Sequence, residues 1–279
     1  MLKRAPRAGV RRALNQKQLV LFYQPIHETE SRKIVSAEAL LRSRRPGGEI
    51  RSGVPLTITA EEGPDLFRLD SWTMKRALRD AATWQHKGIR DVRINVNLSA
   101  REFQEGDVSK RLKKLVTGYG AATDQINVEI TETSYIDQPK RTRRAVDELR
   151  ELGVQLWLDD FGTGYSSISH LLHFELDGVK LPGTFIKDLP GSRRCRSITK
   201  AIIDLAHDLD MQVIAEGIEH RDQLAFLRDC RCEFIQGFLF SKPMPIDKFV
   251  DLLTQSSAAS PPRGNRRRAA PRGRASRSS

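Results

Sequence analysis

The 279-residue chain has only three cysteines, Cys195, Cys230 and Cys232. An odd, small count with no secretory signal argues against a disulfide framework. Cys230 and Cys232 stand one residue apart, too close for a zinc knuckle, and no second Cys/His pair follows at zinc-site spacing. The longest apolar run, Leu19 to Tyr23, falls far short of the roughly 20 residues that span a bilayer. The basic first dozen residues lack the apolar stretch of a signal peptide, so the expected location is the cytoplasm. There is no Gly-x-Ser-x-Gly elbow and no Ser-His-Asp order, which removes the common serine-hydrolase routes. Six histidines are present, but His170 and His173, at i and i+3, read as ordinary helix-surface or packing residues.

Acidic residues are missing from both ends. The formal net charge is +12, yet residues 1–12 carry five basic and no acidic side chains, and residues 255–279 carry seven arginines and no acid. The remaining 35 basic residues meet 35 acidic ones, so the body is neutral. The basic total therefore describes the two ends around a neutral body, 13–254; the domain expectation is a basic arm, 1–10, a barrel domain, 11–254, and an Arg-rich tail, 255–279. The Arg/Ser/Pro/Ala tail has too little apolar bulk to offset its ordering entropy and is expected to be disordered. It has no aromatic residue to stack on bases, so only non-specific contact with nucleic acid or an anionic membrane is expected of the arms.

The body alternates between two periodicities. Short apolar, β-branched stretches occur at 19–26, 34–41, 92–98, 126–131, 154–158, 178–181, 212–215 and 234–237. Helical patterns lie between them: Ile198, Ile202, Leu205 and Leu209 recur at helical spacing, as do Val146, Leu149 and Leu152 behind Asp137 and Pro139. Eight strands with interleaved helices match a (β/α)8 TIM-like barrel in count and length. The rival, a doubly wound open sheet, lacks its Gly-rich phosphate loop after the first strand.

Polar residues fall near the strand ends. Glu38 ends the second stretch, Asn97 lies near the end of the third and Glu129 in the fourth. Asp159 and Asp160 close the fifth, Lys180 lies in the sixth, Glu216 follows the seventh and Gln236 falls in the eighth. In a barrel these positions meet at the C-terminal mouth. Five carboxylates against one ammonium leave four uncompensated negative charges. Two unit charges ~4 Å apart repel by roughly 4 kcal/mol at an effective dielectric near 20. Two divalent cations would cancel the excess, and oxygen ligands without His or Cys favour Mg²⁺ or Mn²⁺. Such a pair at a barrel mouth points to in-line displacement at phosphorus.

These segments resemble the EAL-domain cyclic-di-GMP phosphodiesterase family. The name-giving triplet is Glu38-Ala39-Leu40, followed by Leu41-Arg42. Tyr23-Gln24-Pro25-Ile26 resembles the family's YQPI strand, Asn95-Val96-Asn97-Leu98-Ser99 its NxNLS strand and Glu129-Ile130-Thr131-Glu132 its ExTE strand. Residues 159–167 match DDFGTGYSS, Ala215-Glu216-Gly217-Ile218-Glu219 resembles AEGVE, and Gln236-Gly237-Phe238 with Lys242-Pro243 resembles the closing QGxxxxKP.

The resemblance implies hydrolysis of cyclic-di-GMP to linear pGpG with two divalent ions. It implies Glu38, Asn97, Glu129, Asp159, Asp160 and Glu216 as metal ligands, and Lys180, Glu38 and Asp160 as catalytic groups. Arg42, Gln24 and Gln236 would meet substrate, while Glu132, Gly162 and Gly164 would anchor the loop after Asp160. It also implies an antiparallel first strand and a homodimer.

The sequence departs from the family's pattern at several positions. Lys180-Leu181-Pro182 stands where the family usually has Lys-Ile-Asp. Ser43 replaces an aromatic after Arg42. Leu56-Thr57 and Pro64 depart on the substrate side. Loss of an acid two residues from Lys180, on the same strand face, keeps a second reading open: a weakly active or inactive domain that binds cyclic-di-GMP or a protein partner.

Overall fold

The computed structural model describes residues 12–15, 18–45, 47–53, 65–99, 107–131, 139–163 and 175–258. β1 (Leu19–Glu28) and β2 (Ile34–Arg44) form an antiparallel hairpin that sets Gln24 opposite Glu38. β3 (Ile50–Ser52) folds back on the far end of β2. α1 (Asp65–His86) then returns the chain to β4 (Arg93–Leu98), which pairs in parallel with Ser36–Glu38 of β2.

Strand and helix alternate from there. α2 (Val108–Tyr119), β5 (Ile126–Thr131), α3 (Pro139–Glu151) and β6 (Gln155–Asp159) come first. β7 (Gly178–Leu181), the short α4 (Gly183–Ile186), α5 (Arg193–Asp208) and β8 (Gln212–Ala215) follow. α6 (Arg221–Asp229) leads into β9 (Phe234–Ile235).

Each strand from β4 to β9 runs parallel to its predecessor in the circle. β9 closes the circle antiparallel on β1, with His27 opposite Ile235. The result is the expected TIM-like barrel, with β1, β2 and β4 to β9 as its eight staves and the first of them reversed. β10 (Met244–Pro245) adds to β1, and α7 (Ile246–Ala258) runs past residue 254, where the sequence reading ends the barrel. No helix among the described residues is long and apolar enough to cross a membrane.

Two strands differ clearly from their expected forms: the last stave, β9, ends at Ile235, so Gln236 follows it rather than lying in it, and β2 outruns its expected end at Leu41. β2 continues six residues beyond Glu38, because β1 and β3 keep supplying backbone partners after the pairing with β4 stops. Glu38 therefore ends the parallel stave without ending the strand.

Strand alternation decides which side chains reach the barrel interior. Tyr23 points outward, where its ring lies against Trp84 of α1 and Phe249 of α7 at centroid distances of 6.1 and 5.9 Å. Its hydroxyl donates to Asp80 Oδ2 at 2.8 Å, and Arg76 holds the same carboxylate at 2.7 Å. Gln24, one residue on, therefore points inward. Val179 and Leu181 likewise pack against the helices while Lys180 points inward, and all three are buried. Below the mouth, Ile26, Trp157 and Ile214 form a small apolar floor of their own. Gly178 sits opposite Trp157, and a Cβ there would lie 2.6 Å from the indole Cε3 and 2.6 Å from the Gln212 carbonyl oxygen. Only glycine lets β7 approach that ring.

Candidate active site at the barrel mouth

Four carboxylates from four different staves converge on one ammonium. Lys180 Nζ lies 2.7 Å from Glu216 Oε1, 2.9 Å from Glu129 Oε2, 3.3 Å from Asp159 Oδ1 and 3.5 Å from Glu38 Oε2. Amides then hold the carboxylates. Asn97 Nδ2 donates to Glu38 Oε1 at 2.9 Å, and Gln236 Nε2 donates to Glu38 Oε2 at 2.7 Å. The same Gln236 nitrogen faces Gln24 Oε1 at 3.2 Å, and Gln24 Nε2 donates to the Ser241 carbonyl at 3.3 Å. Asn95 Nδ2 donates to Glu129 Oε1 at 2.7 Å. Above this cluster opens a cavity of about 290 Å³, walled by Gln24, Glu38, Asp159, Asp160, Lys180, Glu216 and Gln236.

Local backbone features set these side chains in place. Glu216 follows β8 with its N–H bonded to the Leu181 carbonyl at 2.9 Å, so the loop is tied to β7. Gln236 donates its own N–H to Ala215 at 2.8 Å and accepts from Ile218 N at 3.2 Å, which locks it beside Glu216. Asp160 turns the chain after β6 at φ +55°, a left-handed conformation that Asp tolerates better than most residues. Its N–H donates to Asp159 Oδ1 at 2.9 Å, and its carbonyl accepts from Thr163. Gly162, in the same turn, has φ +86°.

Not every residue expected at the site joins the cluster. Asp160 lines the cavity but is not among the carboxylates around Lys180. Arg42 lies four residues beyond Glu38, and its Nη1 donates to the Leu41 carbonyl at 2.9 Å. Glu132 and Gly164 fall outside the described residues, as do His170, His173 and Pro64. Pro182 directly follows β7 and is the N-cap residue of α4. Asn95, which donates to Glu129, and Asn127, which donates to Asn95 Oδ1 at 3.0 Å, carry no assigned role in the sequence reading. Their signal was available, since period-2 alternation puts Asn95 on the face of Asn97 and Asn127 on the face of Glu129.

Charge and burial compete throughout the cluster. Burial alone would lower the Lys180 pKa, but Asp159, Glu129, Glu216 and Glu38 reverse this and hold it well above its ordinary value. Burial pushes Glu129 well up; Glu38 and Asp159 add to the rise, and Lys180 and Asn95 oppose it. Glu216 is pushed to about 7, first by burial and then by Asp159 and Glu38, against the pull of Lys180. Burial would raise Glu38 too, yet Lys180, Gln236 and Asn97 outweigh it and bring its pKa below the usual value. One ammonium is thus too little positive charge for four carboxylates.

The donor set suits a hard divalent cation. Every candidate ligand offers oxygen, and the buried Gln236 Oε1 has no hydrogen-bond donor, an orphaned acceptor that a cation would satisfy. Among the described residues no three His, Cys, Asp or Glu side chains stand ready to hold one ion.

Comparison with known proteins places this geometry. The EAL domain family matches residues 7–243. The chain is 36% identical over 244 residues to the cyclic di-GMP phosphodiesterase NbdA of Pseudomonas aeruginosa, covering 88% of this chain and 31% of that protein. It is 36% identical over 241 residues to the cyclic di-GMP phosphodiesterase PdeR of Escherichia coli, covering 86% and 36%. It therefore spans about a third of the length of these curated relatives. Among solved structures, the EAL enzyme Bd1971, with cAMP and cyclic-di-GMP bound, superposes with a TM-score of 0.84 at 31% identity, covering 88% of this chain and 68% of that one. PaMucR phosphodiesterase in complex with c-di-GMP gives 0.82 at 29% identity, covering 87% and 98%. With the reversed first stave, the carboxylates around Lys180 and a match over most of its length, the chain belongs to the EAL domain family.

Proposed function

We propose that the domain, residues 11–254, is a metal-dependent phosphodiesterase that opens cyclic-di-GMP to linear pGpG. The convergence of Glu38, Glu129, Asp159 and Glu216 on Lys180 at the barrel mouth carries the reading. The names of its phosphodiesterase relatives support it.

Glu38, Asn97, Glu129, Asp159, Asp160 and Glu216 would hold two divalent ions, Mg²⁺ or Mn²⁺. Bound there, the ions supply the charge that makes a water nucleophilic near neutral pH and offsets the phosphodiester oxygens. Lys180, with its raised pKa, stays an ammonium and acts as a hydrogen-bond donor that orients the attacking water. The water gives up a proton as its oxygen bonds to phosphorus, one P–O ester bond breaks, the departing oxygen takes up a proton, and the ring opens at one of its two phosphodiester links. Gln24 and Gln236 orient a phosphate oxygen, and Arg42 pairs with the second phosphate, a role suited to a forked guanidinium. Glu132 and the glycines Gly162 and Gly164 hold the loop after Asp160.

The cavity of about 290 Å³ is at the low end for ligand clefts, so it takes the reacting phosphodiester while the bases extend over the rim. Phe238, 54% exposed on that rim with Lys242 Nζ 5.5 Å from its ring centre, offers a face for one of them. The proposal includes a cytoplasmic location, a homodimer and non-specific contact of the arms, 1–10 and 255–279, with nucleic acid or anionic membrane. Sedimentation tests the dimer, and binding across salt concentrations with residues 259–279 deleted, which leaves α7 whole, tests the basic tail.

A receptor with lost turnover is the second reading, favoured by Pro182 where the family usually carries an acid. Incubation of the purified chain with cyclic-di-GMP and Mn²⁺ separates the two. We expect pGpG from the wild type and none from Glu38→Ala. Saturable binding without product establishes the receptor, and unchanged turnover in Glu38→Ala removes the site assignment.

A further inference from the structure

Beneath the carboxylate cluster the barrel interior is divided. On one side stands the apolar floor of Ile26, Trp157 and Ile214. On the other are two fully buried amides, Asn95 and Asn127, where barrels usually pack branched apolar side chains. A buried amide is costly unless every link is made, so the connections of this pair carry information.

The register puts Asn95 of β4 directly opposite Asn127 of β5, and Asn97 opposite Glu129 one step higher. Asn127 Nδ2 donates to Asn95 Oδ1 at 3.0 Å, and Asn95 Nδ2 donates to Glu129 Oε1 at 2.7 Å. At the lower end, Arg93 Nη1 donates to Asn127 Oδ1 at 3.4 Å. Arg93 is half-buried, with the charges of Asp124 and Asp177 nearby.

The chain of bonds has a direction. A guanidinium has donors and no acceptor, so it obliges Asn127 to present its oxygen downward and its NH₂ to Asn95. Asn95 must then present its own NH₂ to Glu129. The other Glu129 oxygen takes the Lys180 ammonium at 2.9 Å. Both carboxylate oxygens are thereby engaged, and the carboxylate plane is held from two sides.

We propose that Arg93, Asn127 and Asn95 form a one-way hydrogen-bond relay that positions Glu129, and through it Lys180, for metal binding. All three are positioning residues and none touches substrate. The inference rests on the reading of Glu129 as a metal ligand, and its outcome can be told apart from that of the phosphodiesterase reading.

The test is Asn127→Asp in the full chain. Aspartate keeps the size and strengthens the contact to Arg93, but it has no donor for Asn95. Asn95 must turn its NH₂ toward the introduced carboxylate and its oxygen toward Glu129. A purely structural pair predicts an unchanged or more stable protein with an unchanged site. The relay predicts a folded protein whose Mn²⁺ affinity, read by calorimetric titration, falls about 10–100-fold, as loss of groups that orient ligands commonly does. kcat should fall with it while KM for cyclic-di-GMP stays within about threefold.

Arg93→Met, which removes the donor that fixes the Asn127 oxygen, tests the same link if Asn127→Asp fails to fold. Wild-type affinity for Mn²⁺ in the folded variant overturns the relay, as does a crystal structure in which Glu129 keeps its rotamer and its bonds to Asn95 and Lys180. A wild type that binds Mn²⁺ without forming pGpG overturns the phosphodiesterase reading and leaves the relay standing.

Discussion

Lys180 Nζ and Glu129 Oε2 meet at 2.9 Å with side chains 1% and 0% exposed, which makes them the most deeply buried ion pair of the mouth. Neither charge could be carried at that depth alone. The ammonium is shared with three further carboxylates, so the pair is the centre of a charged cluster whose balance is negative.

Removing the ammonium without replacing its charge should be costly. Breaking a buried ion pair by deleting one partner costs roughly 3–5 kcal/mol. Lys180→Met is therefore expected to lower the thermal midpoint clearly in a chelator. Mn²⁺ should restore more stability in the variant than in the wild type, because the ions then supply the missing positive charge. Equal midpoints for the two proteins in chelator would refute this account of the cluster.

The raised pKa of Glu216 makes a signed statement about pH. Its folded value, about 7, lies above its ordinary 4.5, so the folded state binds the extra proton between these limits. Stability of the metal-free protein should therefore fall as pH rises from about 4.5 to 7. Glu216→Gln removes that contribution, and its stability curve, from urea unfolding at several pH values, should be flatter over the same window. A slope identical to that of the wild type would show that another group is responsible. Mn²⁺ should oppose the loss in the wild type by favouring the ionised carboxylate.

Pro182, two residues after Lys180, is the N-cap residue of α4 and carries no polar side-chain group that could engage the cluster. Pro182→Asp returns a carboxylate to the strand face of Lys180, and turnover of cyclic-di-GMP is expected to rise several-fold. A flat response in kcat and in KM would make Pro182 neutral and would weaken the receptor reading that rests on it.

Gly178→Ala tests the floor of the barrel apart from its chemistry. The added methyl would collide with the Trp157 ring and the Gln212 carbonyl. Overpacking of this kind costs typically about 1–3 kcal/mol. Urea unfolding should show that loss, and Trp157→Leu in the same chain should recover part of it. Full wild-type stability in Gly178→Ala would mean that the floor has slack.

Much of this architecture is written locally in the chain. The apolar stretches at 126–131 and 178–181 carry their own β propensity, and the strands they predict occupy the same bounds in the structure. Period-2 alternation sends Glu129 and Lys180 to one side of their strands before any partner is known. The barrel count and the resemblance that implied a reversed first strand were legible for the same reason.

Contacts between staves were not legible, because they depend on register. Tyr23 and Gln24 are neighbours, but one packs on α1 and α7 while the other reaches Gln236, 212 positions away in sequence. Nothing local says that Asn95 faces Asn127, that Trp157 needs Gly178 beside it, or that β2 runs on past Glu38. The sequence by itself determined the elements, the polar residues at their ends and the excess of negative charge. Only the closed barrel, by fixing how far each stave is displaced against the next, decided that four of those carboxylates share one lysine.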